Sequence, residues 1–121
     1  MSRILVIDDD PEMRRTIVKI LTAVGHEMIA AKDGKEGLKQ FRIHRPTLVI
    51  TDILMPDREG LETIHELRDA ASRVAIIATS GGPAIFLDMA KKLGADAAIA
   101  KPFRAADLVA AVARLLAPES P

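Results

Sequence analysis

The stretch RILVIDDDPEMRR, residues 3–15, runs four apolar residues directly into three aspartates. A run such as Ile4 to Ile7, apolar on both faces, is typical of a buried strand in a parallel sheet. Three adjacent carboxylates repel one another unless a cation or protons lie between them. Asp10 followed by Pro11 has the pattern of a helix N-cap and a first helical residue. The stretch therefore predicts a strand, an acidic junction and a helix.

The same alternation of a short apolar run and a helical pattern occurs five times along the 121 residues. The predicted strands, β1 to β5 in chain order, are Arg3–Ile7, Glu27–Ala31, Thr47–Thr51, Val74–Ala78 and Ala97–Ala100. The predicted helices, α1 to α5, run from Pro11 to a stop at Gly25, then over about Glu36–His44, Leu61–Ala70, Ala84–Leu93 and Ala105–Leu116. Strict alternation predicts an α/β fold, a doubly wound five-stranded parallel sheet with helices on both faces.

Length and composition are those of one globular domain, which we expect to cover residues 1–117, with 118–121 as a C-terminal tail. The 17 basic and 17 acidic residues balance, so no overall field attracts nucleic acid or an anionic membrane. The absence of cysteine excludes disulfides and thiolate chemistry. No apolar run approaches the ~20 residues that span a bilayer, so we expect a cytoplasmic protein.

Polar residues follow four of the predicted strands. They are Asp8 and Asp9 after β1, Asp52 after β3, Thr79 and Ser80 after β4, and Lys101 after β5. Because parallel strands end at one edge of the sheet, where such folds bind ligands, we expect these side chains to converge. Carboxylates with no His or Cys nearby favour hard cations such as Mg²⁺ or Mn²⁺. The combination predicts metal-assisted phosphoryl transfer onto an aspartate.

These residues resemble the receiver domain of bacterial two-component response regulators over about the whole chain. The matching segments are ILVIDDDPEMRR, AKDGKEGLKQF, PTLVITDILMPDREGLE, VAIIATSGG, KKLGADAAIAKPF and DLVAAV. The resemblance implies a flavodoxin-like sheet of order 2-1-3-4-5. It also implies that Asp52 accepts a phosphoryl group from a histidine kinase, a phosphotransfer protein or a small phosphodonor. Such a domain is not an enzyme with an outside substrate, because it catalyses only its own phosphorylation and dephosphorylation.

The resemblance also implies a metal site. Asp8 and Asp9 look like the acidic pair that binds Mg²⁺, with Asp9 in direct contact and Asp8 acting through water. Asp52 and the backbone carbonyl of Leu54 resemble the remaining protein ligands. Asp10 is left over, and its interpretation as a helix cap stands.

Two further roles follow from the resemblance. Lys101 is similar to the lysine that pairs with the phosphoryl group, and its bond to Pro102 is expected to be cis, a state found at only ~5% of such bonds. The switch hydroxyl has two candidates. An ungapped count back from Lys101 favours Thr79, whereas the small residue Gly81 that follows favours Ser80.

One position departs from the family pattern. Receivers usually carry Tyr or Phe three residues before the lysine, and here that residue is Ala98. Phe86 or Phe103 could take its place, or α4 and the loop before it could signal alone. The resemblance implies that a downstream effector protein reads the α4-β5-α5 surface and that the domain is a monomer or a phosphorylation-dependent dimer.

Two other functional classes compete with this interpretation. A magnesium-dependent, phosphatase-like hydrolase on a similar sheet would also use a strand-end aspartate, but the short loops offer no cap over a substrate. A flavin or nucleotide carrier would need a glycine-rich phosphate loop, and neither G-x-G-x-x-G nor G-x-x-x-x-G-K-[ST] occurs.

Overall fold

The protein is a five-stranded parallel sheet covered by helices on both faces. The computed structural model describes residues 2–54, 59–70 and 73–117. The strands are β1 (Arg3–Ile7), β2 (Glu27–Ala31), β3 (Leu48–Asp52), β4 (Ala75–Ser80) and β5 (Ala97–Ala100). The helices are α1 (Pro11–Ala23), α2 (Gly34–His44), α3 (Glu59–Ala70), α4 (Ala84–Leu93) and α5 (Ala105–Leu116). The sheet order β2-β1-β3-β4-β5 confirms the predicted doubly wound fold.

The sheet separates two apolar clusters, because successive side chains of a strand point to opposite faces. Ile4, Val6 and Ile50 pack with α1 and α5 on one side, the α1/α5 face. Leu5 and Ile7 pack with α2, α3 and α4 on the other side, the α2–α4 face. Because β1 and β3 lie inside the sheet and are covered on both faces, their sequences are almost continuously apolar.

The ends of β3 and β4 differ from the sequence prediction. Thr79 and Ser80 were expected in the loop after β4, and this was wrong, because both are part of the strand. Thr79 pairs with Asp52 of β3, and Ser80 pairs with Ala100 of β5. Since neighbouring strands on both sides satisfy this backbone, polar side chains do not end the strand. Asp52 is likewise the last residue of β3 rather than the first after it.

The helices follow the predicted order, with small shifts at their starts. Helices α2 and α3 begin two residues earlier than predicted, at Gly34 and Glu59. Asp33 caps α2 by accepting a hydrogen bond of 2.8 Å from the amide of Glu36. Within the described ranges, no helix combines the length and the apolar character that a membrane span requires.

Some sequence features lie outside the described residues. They are Met55 and Pro56 of the segment PTLVITDILMPDREGLE and the expected tail at 118–121. The tail therefore stays a prediction.

One arginine joins three elements at the edge of the sheet opposite the three aspartates Asp8, Asp9 and Asp10. Arg68, near the end of α3, donates to the carbonyl of Gly94 at 2.7 Å and to that of Val74 at 2.8 Å. It also pairs with Asp96 at 3.0 Å, and the same carboxylate oxygen accepts from the amide of Ile76. These bonds fix the end of α4 and the starts of β4 and β5.

We predict that Arg68→Ala lowers the free energy of unfolding by about 2 kcal/mol, because several charge-assisted hydrogen bonds are lost together. Urea unfolding measures the change. Arg42→Ala, at an exposed position of α2, is the control and should stay within about 0.5 kcal/mol of wild type. Equal stability of the two variants would contradict a structural role for Arg68.

Candidate functional site

Asp8 continues β1 beyond its last residue and is buried at the sheet edge. Its amide donates to the carbonyl of Ala31 at 3.2 Å, and its side chain is only 1% exposed. The carboxylate accepts from the amide of Asp10 at 2.9 Å and from the ammonium of Lys101 at 2.9 Å. A carboxylate this deeply buried is retained because each of its oxygens has a partner.

Asp9 and Asp10 have different environments. Asp10 is the N-cap of α1, and its carboxylate accepts from the amide of Glu12 at 2.9 Å. Pro11 is the first helical residue, so the predicted cap is confirmed. Asp9 is exposed and lies between the two partnered aspartates.

Asp52 ends β3, and its side chain is only 8% exposed. One oxygen accepts from the amide of Leu54 at 3.1 Å, so the chain turns around the carboxylate. Gly60, in the first turn of α3, packs against this turn. A side chain at residue 60 would overlap the backbone of Ile53 and lie 2.5 Å from the carbonyl oxygen of Asp52. Only glycine permits this approach of α3 to the site.

Lys101 connects the two buried aspartates. It follows β5, and its bond to Pro102 is cis, as predicted. Its ammonium lies 2.9 Å from Asp8 and 3.4 Å from Asp52. Because β4 and β3 separate β5 from β1, the side chain crosses the edge of the sheet to reach both carboxylates.

Burial and charge act in opposite directions on these groups. Burial raises the pKa of Asp52; the Leu54 amide and Lys101 lower it, the nearby Asp8 raises it, and the net result lies above the ordinary value. Burial alone would lower the pKa of Lys101, but the hydrogen bond and charge of Asp8 and the charge of Asp52 raise it overall. Lys101 therefore stays protonated at neutral pH.

The acidic side chains come close enough to hold a metal ion. Asp8, Asp9 and Asp52 each place a carboxylate oxygen within 4.8 Å of the others. With all three ionised, Lys101 leaves two negative charges uncompensated, which a divalent cation would neutralise. Oxygen ligands without nitrogen or sulfur donors suit Mg²⁺ or Mn²⁺. The structure thus brings together the predicted carboxylate ligands, while the role of the Leu54 carbonyl as a metal ligand stays a prediction.

The two candidate hydroxyls lie on opposite faces of β4. Thr79 pairs with Asp52 and Ile99, which places its side chain on the α1/α5 face. Its hydroxyl is buried and has no hydrogen-bond partner among the described residues. Ser80 lies on the α2–α4 face, and its hydroxyl accepts from the amide of Gly82 at 3.0 Å. Its carbonyl accepts from the amide of Lys101 at 2.8 Å, so the backbone ties Ser80 to the site.

The sequence did not predict the contact between Arg14 and the backbone of Asp8. Its guanidinium donates to the carbonyl of Asp8 at 2.7 Å and so braces the acidic junction from α1. The available signal was its position one helical turn after Asp10, since residues four apart share one side of a helix.

Comparisons with known proteins agree with this geometry. The sequence model of the response regulator receiver domain family matches residues 4–113 of this chain. The chain belongs to the response regulator receiver domain family. Receiver domains act in two-component signalling, so this chain is a signalling domain, and the phosphatase-like hydrolase is not favoured.

The chain matches relatives of about its own length and relatives about twice as long. The chemotaxis protein CheY of Bacillus subtilis is 34% identical over 117 residues, with 94% of this chain and 97% of CheY covered. The probable transcriptional regulator ycf27 of Cyanophora paradoxa is 35% identical over 115 residues, 95% of this chain and 48% of the regulator. The chain thus spans about half the length of the ycf27 regulators it matches.

Solved structures share the fold. A receiver domain protein from Clostridium thermocellum has a TM-score of 0.90 and 30% identity, with 96% of this chain and 94% of that protein covered. The receiver fold therefore extends over nearly the whole chain.

We predict that Asp9 and Asp10 are separable. Asp9→Ala should abolish Mg²⁺ binding, because it removes an exposed carboxylate that faces Asp8 and Asp52. Asp10→Ala should keep Mg²⁺ binding and lower the free energy of unfolding by ~1 kcal/mol through loss of the cap. Calorimetric Mg²⁺ titration and urea unfolding measure the two effects. Equal loss of metal binding in both variants would contradict the division.

A second prediction separates the hydroxyls. Thr79→Val should leave the free energy of unfolding unchanged or raise it by up to ~1 kcal/mol, because the lost hydroxyl has no partner among the described residues. Ser80→Ala should cost ~1 kcal/mol, because the amide of Gly82 loses its acceptor. Urea unfolding of both variants tests this. A destabilised Thr79→Val variant would show that its hydroxyl has a partner after all, such as a buried water.

The raised pKa of Asp52 predicts a pH-dependent stability. The folded protein holds this proton more tightly than the unfolded chain, whose ordinary pKa is 3.8. The associated stabilisation is full below that value and is lost as pH rises through the folded pKa. Asp52→Asn should therefore be more stable than wild type at neutral pH without Mg²⁺, and the difference should shrink in acid.

Urea unfolding in a chelator over a pH series measures this difference. Asp88→Asn, on the exposed surface of α4, is the control for removing a carboxylate. A destabilised Asp52→Asn variant at neutral pH would show that the pairing with Lys101 outweighs the cost of burial.

Proposed function

We propose that Asp52 is the phosphoryl acceptor of this receiver domain and that Asp8, Asp9 and Lys101 support the transfer. The observation that carries this is one cluster at the carboxyl edge of the sheet, in which Lys101 reaches Asp8 at 2.9 Å and Asp52 at 3.4 Å. Three carboxylates and one ammonium, drawn from the ends of three strands, are the groups that aspartyl phosphorylation needs.

The reaction is an in-line displacement at phosphorus. A carboxylate oxygen of Asp52 forms the new bond to phosphorus while the bond to the donor breaks. With phosphohistidine, the imidazole nitrogen leaves with the bonding electron pair; with acetyl phosphate, acetate leaves. Lys101 is protonated and already beside Asp52, so it pairs with a phosphoryl oxygen without a costly reorganisation.

Asp8, Asp9, Asp52 and the carbonyl of Leu54 would hold Mg²⁺, or Mn²⁺ in its place. The bound cation supplies charge neutralisation for the phosphoryl oxygens. Residues of the chain hold the aspartates in place: Arg14 donates to the carbonyl of Asp8, and the Leu54 amide donates to the carboxylate of Asp52.

The switch hydroxyl keeps two candidates, and one of them is Ser80. It lies at the end of β4 and is bonded to Gly82 in the loop that leads into α4, so movement of its hydroxyl toward the phosphoryl group would shift that loop. The other is Thr79, which pairs with Asp52 in the register of β3 and β4, so the two side chains lie on the same face of the sheet. Its buried hydroxyl has no hydrogen-bond partner among the described residues and could turn toward a phosphoryl group on Asp52.

Phe86 is the candidate for the missing aromatic at residue 98. It packs against the α2–α4 cluster, on the same face as Ser80, whereas Phe103 packs against the α1/α5 cluster. A change at Ser80 would therefore reach Phe86 and α4 before it reached Phe103.

The expected donors are a sensor histidine kinase or a phosphotransfer protein. The expected output is the binding of an effector protein at the α4-β5-α5 surface, by a monomer or by a dimer that forms on phosphorylation. This readout is a population shift between two conformations of the loop before α4.

Intact mass after incubation with acetyl phosphate and Mg²⁺ tests the proposal. Wild type should gain one phosphoryl group, and Asp52→Asn should gain none. Asp10→Ala is the matched control, since it removes an adjacent aspartate and should still be labelled. A wild type that gains no phosphoryl group, or an Asp52→Asn variant labelled to the same extent, would contradict the proposal.

A further inference from the structure

Exposed apolar side chains concentrate on one side of the described surface. Six large apolar residues among the described ones are at least 36% exposed. Four of them lie on α4 or beside the loop that precedes it: Leu54, Ile85, Met89 and Leu93. Single exposed apolar residues are ordinary, but a contiguous group of them marks an interaction site.

Three of these residues form a stripe along α4. Ile85, Met89 and Leu93 are spaced four residues apart, which places them on one side of the helix, and they are 63%, 40% and 36% exposed. Leu93 also lines a groove of about 380 Å³ together with Leu61 and His65 of α3. The stripe therefore meets α3 at its C-terminal residue, Leu93.

Leu54, the fourth of these exposed residues, lies two residues after Asp52. This residue is 41% exposed and covers Gly82 in the loop between β4 and α4. A side chain at residue 82 would lie 2.5 Å from Leu54 and 3.5 Å from Phe86. Leu54 thus joins the loop after β3 to the loop before α4.

The α3 side of the groove is acidic. Glu62 and Glu66 are exposed, four residues apart, and both line the groove. Lys35 of α2 lies beyond them in a neighbouring cleft, and no ion pair joins it to either glutamate among the described residues. A partner that covers the stripe would place basic side chains opposite this rim.

We propose that the groove between α3 and α4 binds an amphipathic helix of a partner protein. Its apolar residues, recurring every three to four positions, would cover Ile85, Met89 and Leu93, and its Lys or Arg side chains would face Glu62 and Glu66. The described residues of β5 and α5 include no large apolar side chain of comparable exposure, so the α5 flank offers such a helix less to bury. The site exists without phosphorylation, so the proposal does not depend on Asp52.

The test uses two synthetic amphipathic helical peptides with the same leucine face and either Lys or Glu on the flanks. Amide chemical shifts of the full unphosphorylated chain are followed during titration. The Lys peptide should bind more tightly and move the signals of Leu61, His65, Met89 and Leu93. Equal affinity for both peptides, or shifts centred on β5 and α5, would overturn the proposal.

Two variants test the contacts separately. Met89→Glu should weaken the Lys peptide about tenfold, since it replaces buried apolar area with a charge. The double variant Glu62→Lys/Glu66→Lys should weaken the Lys peptide about threefold or more and strengthen the Glu peptide. Ala113→Glu, at an exposed position of α5, is the matched control and should bind like wild type.

Sedimentation of the peptide-free chain tests the alternative occupant. The chain should stay monomeric over the concentrations used in the titration. A dimer that Met89→Glu dissociates would show that a second copy covers the groove and would overturn the assignment to a helical partner. Acetyl phosphate labelling of Met89→Glu should match wild type, which separates failure of the groove from failure of Asp52 as acceptor.

Discussion

The ammonium group of Lys101 lies between two buried carboxylates that belong to different strands, 2.9 Å from Asp8 and 3.4 Å from Asp52. Carboxylate oxygens of Asp8 and Asp52 lie within 4.8 Å of each other. Without the lysine the two groups would repel each other, and the repulsion would be large in a partly desolvated site. The lysine crosses the sheet edge and offsets part of this cost. The carboxyl ends of β1, β3 and β5 are thereby held together by charge as well as by backbone pairing.

The same contact leaves an excess of negative charge at the sheet edge. The three aspartates, Asp8, Asp9 and Asp52, exceed the single lysine in charge, and a divalent ion could neutralise the excess. The exposed Asp9 can meet such an ion with little rearrangement, while the buried Asp8 is already saturated with hydrogen bonds. Burial raises the pKa of Asp52 and costs stability, and perturbed pKa values of this kind are concentrated at functional sites.

The order of the elements, the cap at Asp10 and the acidic character of the edge could be predicted from the sequence, because they depend on local spacing and on residue chemistry. Which strand residues pair could not, since register depends on contacts distant in the chain. Thr79 and Ser80 look like loop residues by polarity, yet β3 and β5 hold both in the strand. The choice between their hydroxyls needs the face of the sheet, which only the register gives.

Exposure is the other property that sequence does not determine. The spacing of Ile85, Met89 and Leu93 resembles the core-facing side of a helix, and only the packing of α4 shows that these residues are left uncovered. Arg14 and Arg68 likewise look like ordinary surface arginines, although both bind backbone carbonyls at junctions.

The central claim is that the acceptor is the aspartate beside Lys101. Sodium borohydride reduces an acyl phosphate to an alcohol, so a phosphorylated aspartate becomes homoserine, which peptide mass spectrometry locates. After treatment with acetyl phosphate and then borohydride, we expect homoserine in place of Asp52 alone, and only when Mg²⁺ is present. Homoserine in place of Asp8, Asp9 or Asp10, or at none of the four positions, would contradict the account.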